Sequence, residues 1–101
     1  MRTRIELHKI LKSIEGVQAC YFCPPEGLNM KYPCIVYDYV QTNPNHADNL
    51  VYLRSKQYRV VVIDEDPDSE IPDRVEGLPF CSSDRKYVSD GLNHFPFTLF
   101  W

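Results

Sequence analysis

The C-terminal segment constrains the fold more than any other part of the chain. Leu92–Trp101 has the sequence LNHFPFTLFW, in which large apolar residues alternate as they do in a β-strand. The Asp90-Gly91 pair before it favours a two-residue hairpin turn, so Cys81–Ser89 is predicted to be the other arm of a hairpin. Pro96 has no backbone N–H to donate, which predicts either a sheet edge or a bulge at this strand.

The apolar side chains of this C-terminal strand predict assembly. Alternation places several large side chains on one face of the strand and Phe100 on the other. The residues that share the first face are Phe95, Phe97, Leu99 and Trp101. One long helix and one short helix cannot cover both faces of a five-stranded sheet. We therefore expect a neighbouring subunit to cover the exposed apolar face.

The N-terminal segment has the strongest helix signal. Thr3 and Glu6 have the spacing of a capping box. Apolar residues then recur at helical spacing, and Gly16 can end the helix in a left-handed conformation. These features predict a helix over Thr3–Gly16.

Three strands and a short helix are predicted between this helix and the C-terminal hairpin. The strands are Val17–Cys23, Cys34–Gln41 and Tyr52–Asp64, and the helix is Ser69–Gly77. The order α-β-β-β-α-β-β predicts an α+β fold with a mainly antiparallel sheet of four to five strands, one long N-terminal helix and one short helix. A length of 101 residues predicts a single domain over 1–101.

Charge and hydropathy exclude several classes of protein. The net charge of −3 and the pI near 5.5 weigh against general nucleic-acid binding, because a basic surface supplies most of that affinity. No apolar run approaches the ~20 residues that a membrane-spanning helix needs. The N-terminus has no unbroken apolar core and no small-residue cleavage site, so no signal peptide is predicted.

The cysteines are interpreted as reduced, half-buried thiols. Cys20 and Cys23 have the C-x-x-C spacing of zinc and redox sites. Cys34 and Cys81 stand alone, so no second close pair completes a zinc site. The Cys20–Cys23 pair also lies in a predicted strand and not at a helix N-terminus, where a redox thiol would be activated. A metal site is the less favoured alternative, and no cofactor is predicted.

The charged and titratable residues form no recognisable catalytic motif. The acidic run Asp64–Glu70 has the D-x-D-x-D spacing of a calcium loop, but it lacks the required glycine and Pro67 interrupts it. We favour a structural role, because acidic residues before a helix complement the helix dipole. The histidines His8, His46 and His94 are scattered, and no nucleophile–base signature accompanies them. The chain is therefore predicted not to be an enzyme.

Three sequence blocks carry a family resemblance. They are Met30–Tyr37 (MKYPCIVY), Val62–Asp73 (VIDEDPDSEIPD) and Tyr87–Phe95 (YVSDGLNHF). Together they resemble small proteins from the tail-assembly region of long-tailed phages and prophages. The chain is similar in particular to tail-terminator, or tail-completion, proteins, and the resemblance extends from the first helix to Trp101.

The resemblance implies a non-enzymatic virion protein that assembles as a ring, usually a homohexamer, on the end of the phage tail tube. The ring would contact the tail tube protein, terminate tail polymerisation and offer a head–tail joining surface to a head-completion or neck protein. DNA would pass through the lumen without specific binding, which an acidic lumen favours. The implied location is the virion, at the head–tail junction, and the host cytoplasm during assembly. The alternatives are another connector, such as a head-closure or minor tail protein, and a small metal-dependent enzyme.

Candidate assembly residues are chosen for expected exposure. Ile5 lies off the apolar stripe of the first helix, and Arg2 and Arg4 lie at the N-terminal end, where the helix dipole disfavours cations. These three residues form either a partner contact or a frayed chain end. The loop Thr42–Asn49 and the acidic run Asp64–Glu70 are expected to face a neighbour or the lumen. The full set is Arg4, Ile5, Asn43, Asn45, His46, Asp48, Asp64, Asp66, Asp68, Phe97, Leu99 and Trp101. No catalytic, cofactor-binding or metal-ligating residue is predicted.

Overall fold

The computed structural model describes residues 3–25, 29–40, 57–78 and 81–101. In these residues the chain has an α+β fold, as predicted, with two helices and a mixed sheet of six strands. The elements in chain order are α1 (Arg4–Ser13), β1 (Ala19–Phe22), β2 (Cys34–Val40), β3 (Gln57–Asp64), α2 (Ile71–Glu76), β4 (Cys81–Ser83), β5 (Tyr87–Ser89) and β6 (Leu92–Phe100). Neither helix among the described residues is long and apolar enough to span a membrane.

The first helix begins where the capping box predicts. The Thr3 hydroxyl accepts a hydrogen bond from the Glu6 N–H at 3.3 Å, which satisfies one of the free donors of the first turn. Leu7 and Leu11 on this helix are fully buried, and each contributes about 1.5–3 kcal/mol of hydrophobic stabilisation. The helix ends at Ser13, earlier than predicted, and Gly16 takes the left-handed conformation after it with φ +96°.

The strand order is β1-β2-β3-β6-β4, and β5 also pairs with β6. The prediction of a mainly antiparallel sheet holds for every pair except β1 and β2, which are parallel from Ala19 opposite Cys34 to Phe22 opposite Tyr37. The reason is the long connection between β1 and β2. A tight hairpin forces an antiparallel pair. A longer connection allows the chain to return to the end at which β1 begins, so that β2 can run in the same direction.

The C-terminal hairpin forms with a bulge opposite Pro96. Asp90 and Gly91 have φ of +54° and +75°, as a type I′ turn requires. The predicted single arm is split into β4 and β5, because the three residues 84–86 oppose only Phe95 and Pro96 on β6. The Asp84 N–H donates to the Pro96 carbonyl at 2.9 Å. A residue's N–H and C=O point to the same side of a strand, so the missing donor of Pro96 faces the bulge.

The hydrophobic core lies between the two helices and one face of the sheet. Its buried members are Leu7, Leu11, Ile35, Tyr37, Tyr58, Val60, Val62, Ile71, Val75, Phe97 and Leu99. Register places Phe97 opposite Val60 and Leu99 opposite Tyr58, so the apolar face of β6 is the face that the helices cover.

The expectation that a neighbouring subunit covers Phe97 and Leu99 is therefore wrong. Their side chains are 2% and 0% exposed within the chain itself. The physical reason is that both helices pack on the same face of the sheet and together cover it.

We expect Gly91→Ala to destabilise the fold by about 1–2 kcal/mol, because an alanine at φ +75° adopts a left-handed conformation that its Cβ disfavours. No atom lies within 4 Å of the Cβ position, so the effect is purely conformational. The matched control is Gly77→Ala. Gly77 has φ −71° and its Cβ would meet the Arg74 carbonyl at an ordinary 3.5 Å, so this variant should match the parent or gain up to about 1 kcal/mol. Urea denaturation measures both, and equal effects of the two substitutions would contradict the turn assignment.

Candidate functional site

The sheet face opposite the core carries a row of apolar side chains. Register aligns Tyr21 with Val36, Val36 with Val61, and Val61 with Pro96. These residues alternate with core residues along their strands, so their side chains point away from both described helices. Tyr21, Val36 and Val61 are half-buried and Pro96 is buried. We call this row, with the residues beside it on the same side of the sheet, the open face.

A polar row follows the apolar row on the open face. Asp38 lies opposite Arg59, and Arg59 lies opposite Thr98. Asp38 and Arg59 are both exposed, and neither forms an ion pair with another described residue. At the other end of the open face the Tyr21 hydroxyl accepts a hydrogen bond from the Lys31 N–H at 3.2 Å, so the segment before β2 lies against that end. The accessible part of the open face therefore combines valines with an acid and a base that form no ion pair with another described residue.

The acidic run folds into a turn whose carboxylates bind the backbone. An Asp64 carboxylate oxygen accepts from the Asp66 N–H at 3.0 Å, and an Asp66 oxygen accepts from the Asp68 N–H at 2.9 Å. The buried Asn93 side chain donates to the carbonyls of Asp64 and Glu65, both at 3.3 Å. The described residues contain no group of three or more side chains that could hold a metal ion. The geometry supports the structural role favoured for this run.

The structure separates the predicted acidic site residues by burial. Asp64 is only 9% exposed and its carboxylate accepts a hydrogen bond within the turn. Its side chain is therefore not available for a contact with another subunit. Asp66 and Asp68 are exposed and remain candidates for a contact. Asn93, which braces the turn, was not singled out from the sequence, because an asparagine in a predicted strand carries no distinctive spacing.

The N-terminal candidates lie at the junction of α1 with the C-terminus. Ile5 is 59% exposed, and Arg4 is half-buried with its guanidinium 4.4 Å from the centre of the Phe22 ring. The Trp101 indole N–H donates to the Thr3 carbonyl at 2.9 Å and its ring packs against the core. Trp101 thus ties the end of the chain to the first helix, and Ile5 remains a surface residue.

The rest of the predicted set lies outside the described residues. This group consists of Asn43, Asn45, His46 and Asp48, together with the predicted loop Thr42–Asn49 that contains them.

A titratable cluster that the sequence did not predict lies between α1 and the first two strands. The His8 Nδ1 is 2.7 Å from the Tyr37 hydroxyl and 3.9 Å from the Cys20 sulfur. Arg4 donates to the same hydroxyl at 3.4 Å. Partial burial, with smaller contributions from Arg4 and Lys12, lowers the pKa of His8. The parallel pairing of β1 with β2 brings these groups together, and no spacing in the sequence indicates that pairing.

The buried thiols are poor nucleophiles. Burial raises the pKa of Cys20 to about 12 and that of Cys34 to about 11. Burial, assisted by the charges of Glu76 and Asp84, raises the pKa of Cys81 to about 11. These three thiols stay protonated near neutral pH, and only the thiolate is a strong nucleophile.

Comparison with known proteins adds no assignment: no protein-family model, no curated protein and no solved structure matches the chain.

The lowered pKa of His8 predicts a pH-dependent stability. The unfolded chain, in which the pKa of His8 is near 6.5, binds the proton more readily than the folded chain. The His8 contribution is therefore present above pH 6.5 and is lost as the pH falls through the lowered, folded-state value. As the pH falls from about 7.5 to 5, the parent should lose stability through His8 and His8→Gln should not. We therefore expect the free energy of unfolding of His8→Gln to rise relative to that of the parent over this range. Urea titrations at several pH values measure this difference, and an imidazole NMR titration midpoint at or above 6.5 for His8 would contradict it.

Burial also predicts that one cysteine reacts first. Cys23 is the exposed cysteine, whereas Cys20, Cys34 and Cys81 are half-buried or buried. Under native conditions a disulfide reagent such as Ellman's should modify Cys23 rapidly and the other three slowly, with all four reacting in denaturant. Cys23→Ser should remove the fast phase, and Cys81→Ser is the control that should retain it. A fast phase that persists in Cys23→Ser would show that another thiol is accessible.

Proposed function

We propose that the chain is a non-enzymatic structural subunit of a long-tailed phage or prophage virion. In this proposal it assembles on the end of the tail tube as a ring, of six subunits as the family resemblance implies. The ring terminates tail polymerisation and provides the surface to which a head-completion or neck protein binds.

The open face is the observation that carries the proposal. Both described helices pack on the other side of the sheet, so the half-buried Val36 and Val61 are not covered by either helix. Partly exposed apolar rows flanked by polar residues are typical of surfaces that bind another protein. The surface proposed for assembly is therefore the face opposite the one that carries Phe97 and Leu99.

A ring needs a contact between two different surfaces of the same chain. Such head-to-tail contacts close into a ring when the rotation between neighbours divides a full turn. Asp38 and Arg59 on the open face have no ion pair within the described part of the chain, so each can meet an opposite charge on a neighbour and help to set the orientation of that contact. The net charge of −3 per chain supports a lumen through which DNA passes without binding.

The experiment is to measure mass by light scattering and to image the same sample by negative stain, with and without tail tube protein. A closed ring in either condition supports the proposal. A chain that stays monomeric in both conditions overturns it. A ring that binds heads but does not cap tube ends would favour the head-closure alternative.

We expect Val61→Asp to prevent ring formation, because it places a charge in the centre of the open face. Val61→Thr is the milder variant, which keeps the branched shape and should weaken assembly without unfolding the chain. The matched control is Val88→Asp. Val88 is 64% exposed and pairs with Asn93 on the other side of the sheet, so this variant should still form rings. Circular dichroism checks folding, and rings from folded Val61→Asp would exclude the open face as the contact.

A further inference from the structure

Three basic residues form a stripe on one side of α1. Arg4, His8 and Lys12 are four residues apart, which places them one above another on the helix surface. The stripe follows β1: the Arg4 guanidinium lies over the Phe22 ring at 4.4 Å, and His8 is 3.9 Å from the sulfur of Cys20. Lys12 is close enough for its charge to act on the Cys20 thiol. The stripe thus runs alongside the first strand of the sheet.

The stripe has no negative partner among the described residues. Acidic residues outnumber basic ones in the chain, 14 to 11, yet the ion pairs of the described residues all involve Arg74. Arg4 is held in place by the Tyr37 hydroxyl and the Phe22 ring, and neither of these neutralises it. Arg4 and Lys12 therefore lack a counter-charge among the described residues, and a bound anion would supply one.

The strand beside the stripe is at the edge of the sheet that the described strands form. β1 is the first strand in the sheet order, and among the described strands it pairs with β2 alone. An unpaired strand edge offers a row of backbone donors and acceptors to another extended segment. Recognition by strand addition uses such an edge for affinity and the neighbouring side chains for specificity.

The spacing of the stripe matches that of a strand. Residues four apart on a helix are separated by about 6 Å along its axis. Alternate residues of a strand, which share one face, are separated by about 6.6 Å. A segment added beside β1 can therefore place carboxylates at alternate positions level with Arg4, His8 and Lys12. Arg4 and Lys12 carry the positive charge of the stripe, because the pKa of His8 is lowered.

We infer that the outer edge of β1 and the stripe Arg4–His8–Lys12 together form a binding site for an extended acidic segment of a partner protein. The segment adds to the sheet beside β1 and directs acidic side chains at alternate positions toward α1. The site depends on the local geometry of α1 and β1, so it does not require ring formation.

The test uses three blocked, fluorescently labelled heptapeptides and fluorescence anisotropy. The first alternates threonine and aspartate, with three aspartates in total. The second replaces each aspartate by asparagine, and the third places the three aspartates next to one another. The alternating aspartate peptide should bind most tightly. The asparagine peptide should bind about tenfold more weakly, because it loses the pairs with the Arg4 and Lys12 cations, each of which contributes up to about 1 kcal/mol.

Variants of the protein locate the site. Lys12→Gln should weaken binding of the alternating peptide about two- to fivefold, and Arg4→Gln with Lys12→Gln should weaken it further. Lys9→Gln is the matched control, because Lys9 is an exposed lysine of the same helix outside the stripe. In NMR spectra the peptide should shift the backbone amides of β1 and α1 and leave those of β4 unchanged.

The following results would overturn the inference. Equal affinity for the alternating and the clustered aspartate peptides would show charge attraction without strand addition. Equal loss of affinity in Lys9→Gln and Lys12→Gln would show that the stripe is not the site. Binding of a single-stranded oligonucleotide in place of the alternating peptide would assign the stripe to nucleic acid.

Discussion

The pairing of β3 with β6 is the interaction on which the rest of the structure depends. The two strands pair along their whole lengths, from Gln57 opposite Phe100 to Asp64 opposite Asn93. This register puts Val60 and Phe97 on one face together with their apolar neighbours, and the two helices pack there. A slip of one residue would turn these side chains to the other face and remove the surface on which α1 and α2 rest. The bulge opposite Pro96 lies on the side of β6 that faces β4 and β5. The pairing of β6 with β3 on its other side therefore continues without interruption past Pro96.

The choice of one face for both helices determines where the chain can meet other molecules. The helix side is filled by the core residues. The opposite side keeps half-buried valines beside Asp38 and Arg59, which have no ion-pair partner in the ranges that the structure describes. Among the described strands the outer edge of β1 is unpaired, and with the basic stripe of α1 beside it this edge is the second surface that we infer to bind a partner. In the acidic turn before α2, two carboxylates accept hydrogen bonds from the backbone of the turn itself. Fewer of its carboxylate oxygens are therefore available to a ligand than the number of acidic residues suggests.

Much of the local structure could be predicted from particular residues. The Thr3–Glu6 cap sets the start of α1, Asp90-Gly91 sets the final turn, and apolar alternation locates β2 and β3. Each of these signals acts over a few neighbouring residues. The candidate site was much less predictable, since the partner of Tyr37 is His8 and the partner of Asn93 is the turn at Asp64. These contacts join distant parts of the chain, and neither partner carries a distinctive local pattern.

The sequence by itself determined the α+β class, the helix cap, the hairpin turn and the need for a bulge or an edge at Pro96. All four follow from backbone preferences and side-chain periodicity, which are properties of short segments. Only the tertiary structure decided that β1 runs parallel to β2, that both helices share one face, and that Phe97 and Leu99 belong to the core. A periodic pattern states that one side of an element is apolar, and it carries no information about which element covers that side. That choice is made when the whole chain packs, because several arrangements satisfy the local preferences equally and differ only in the apolar area that they bury together.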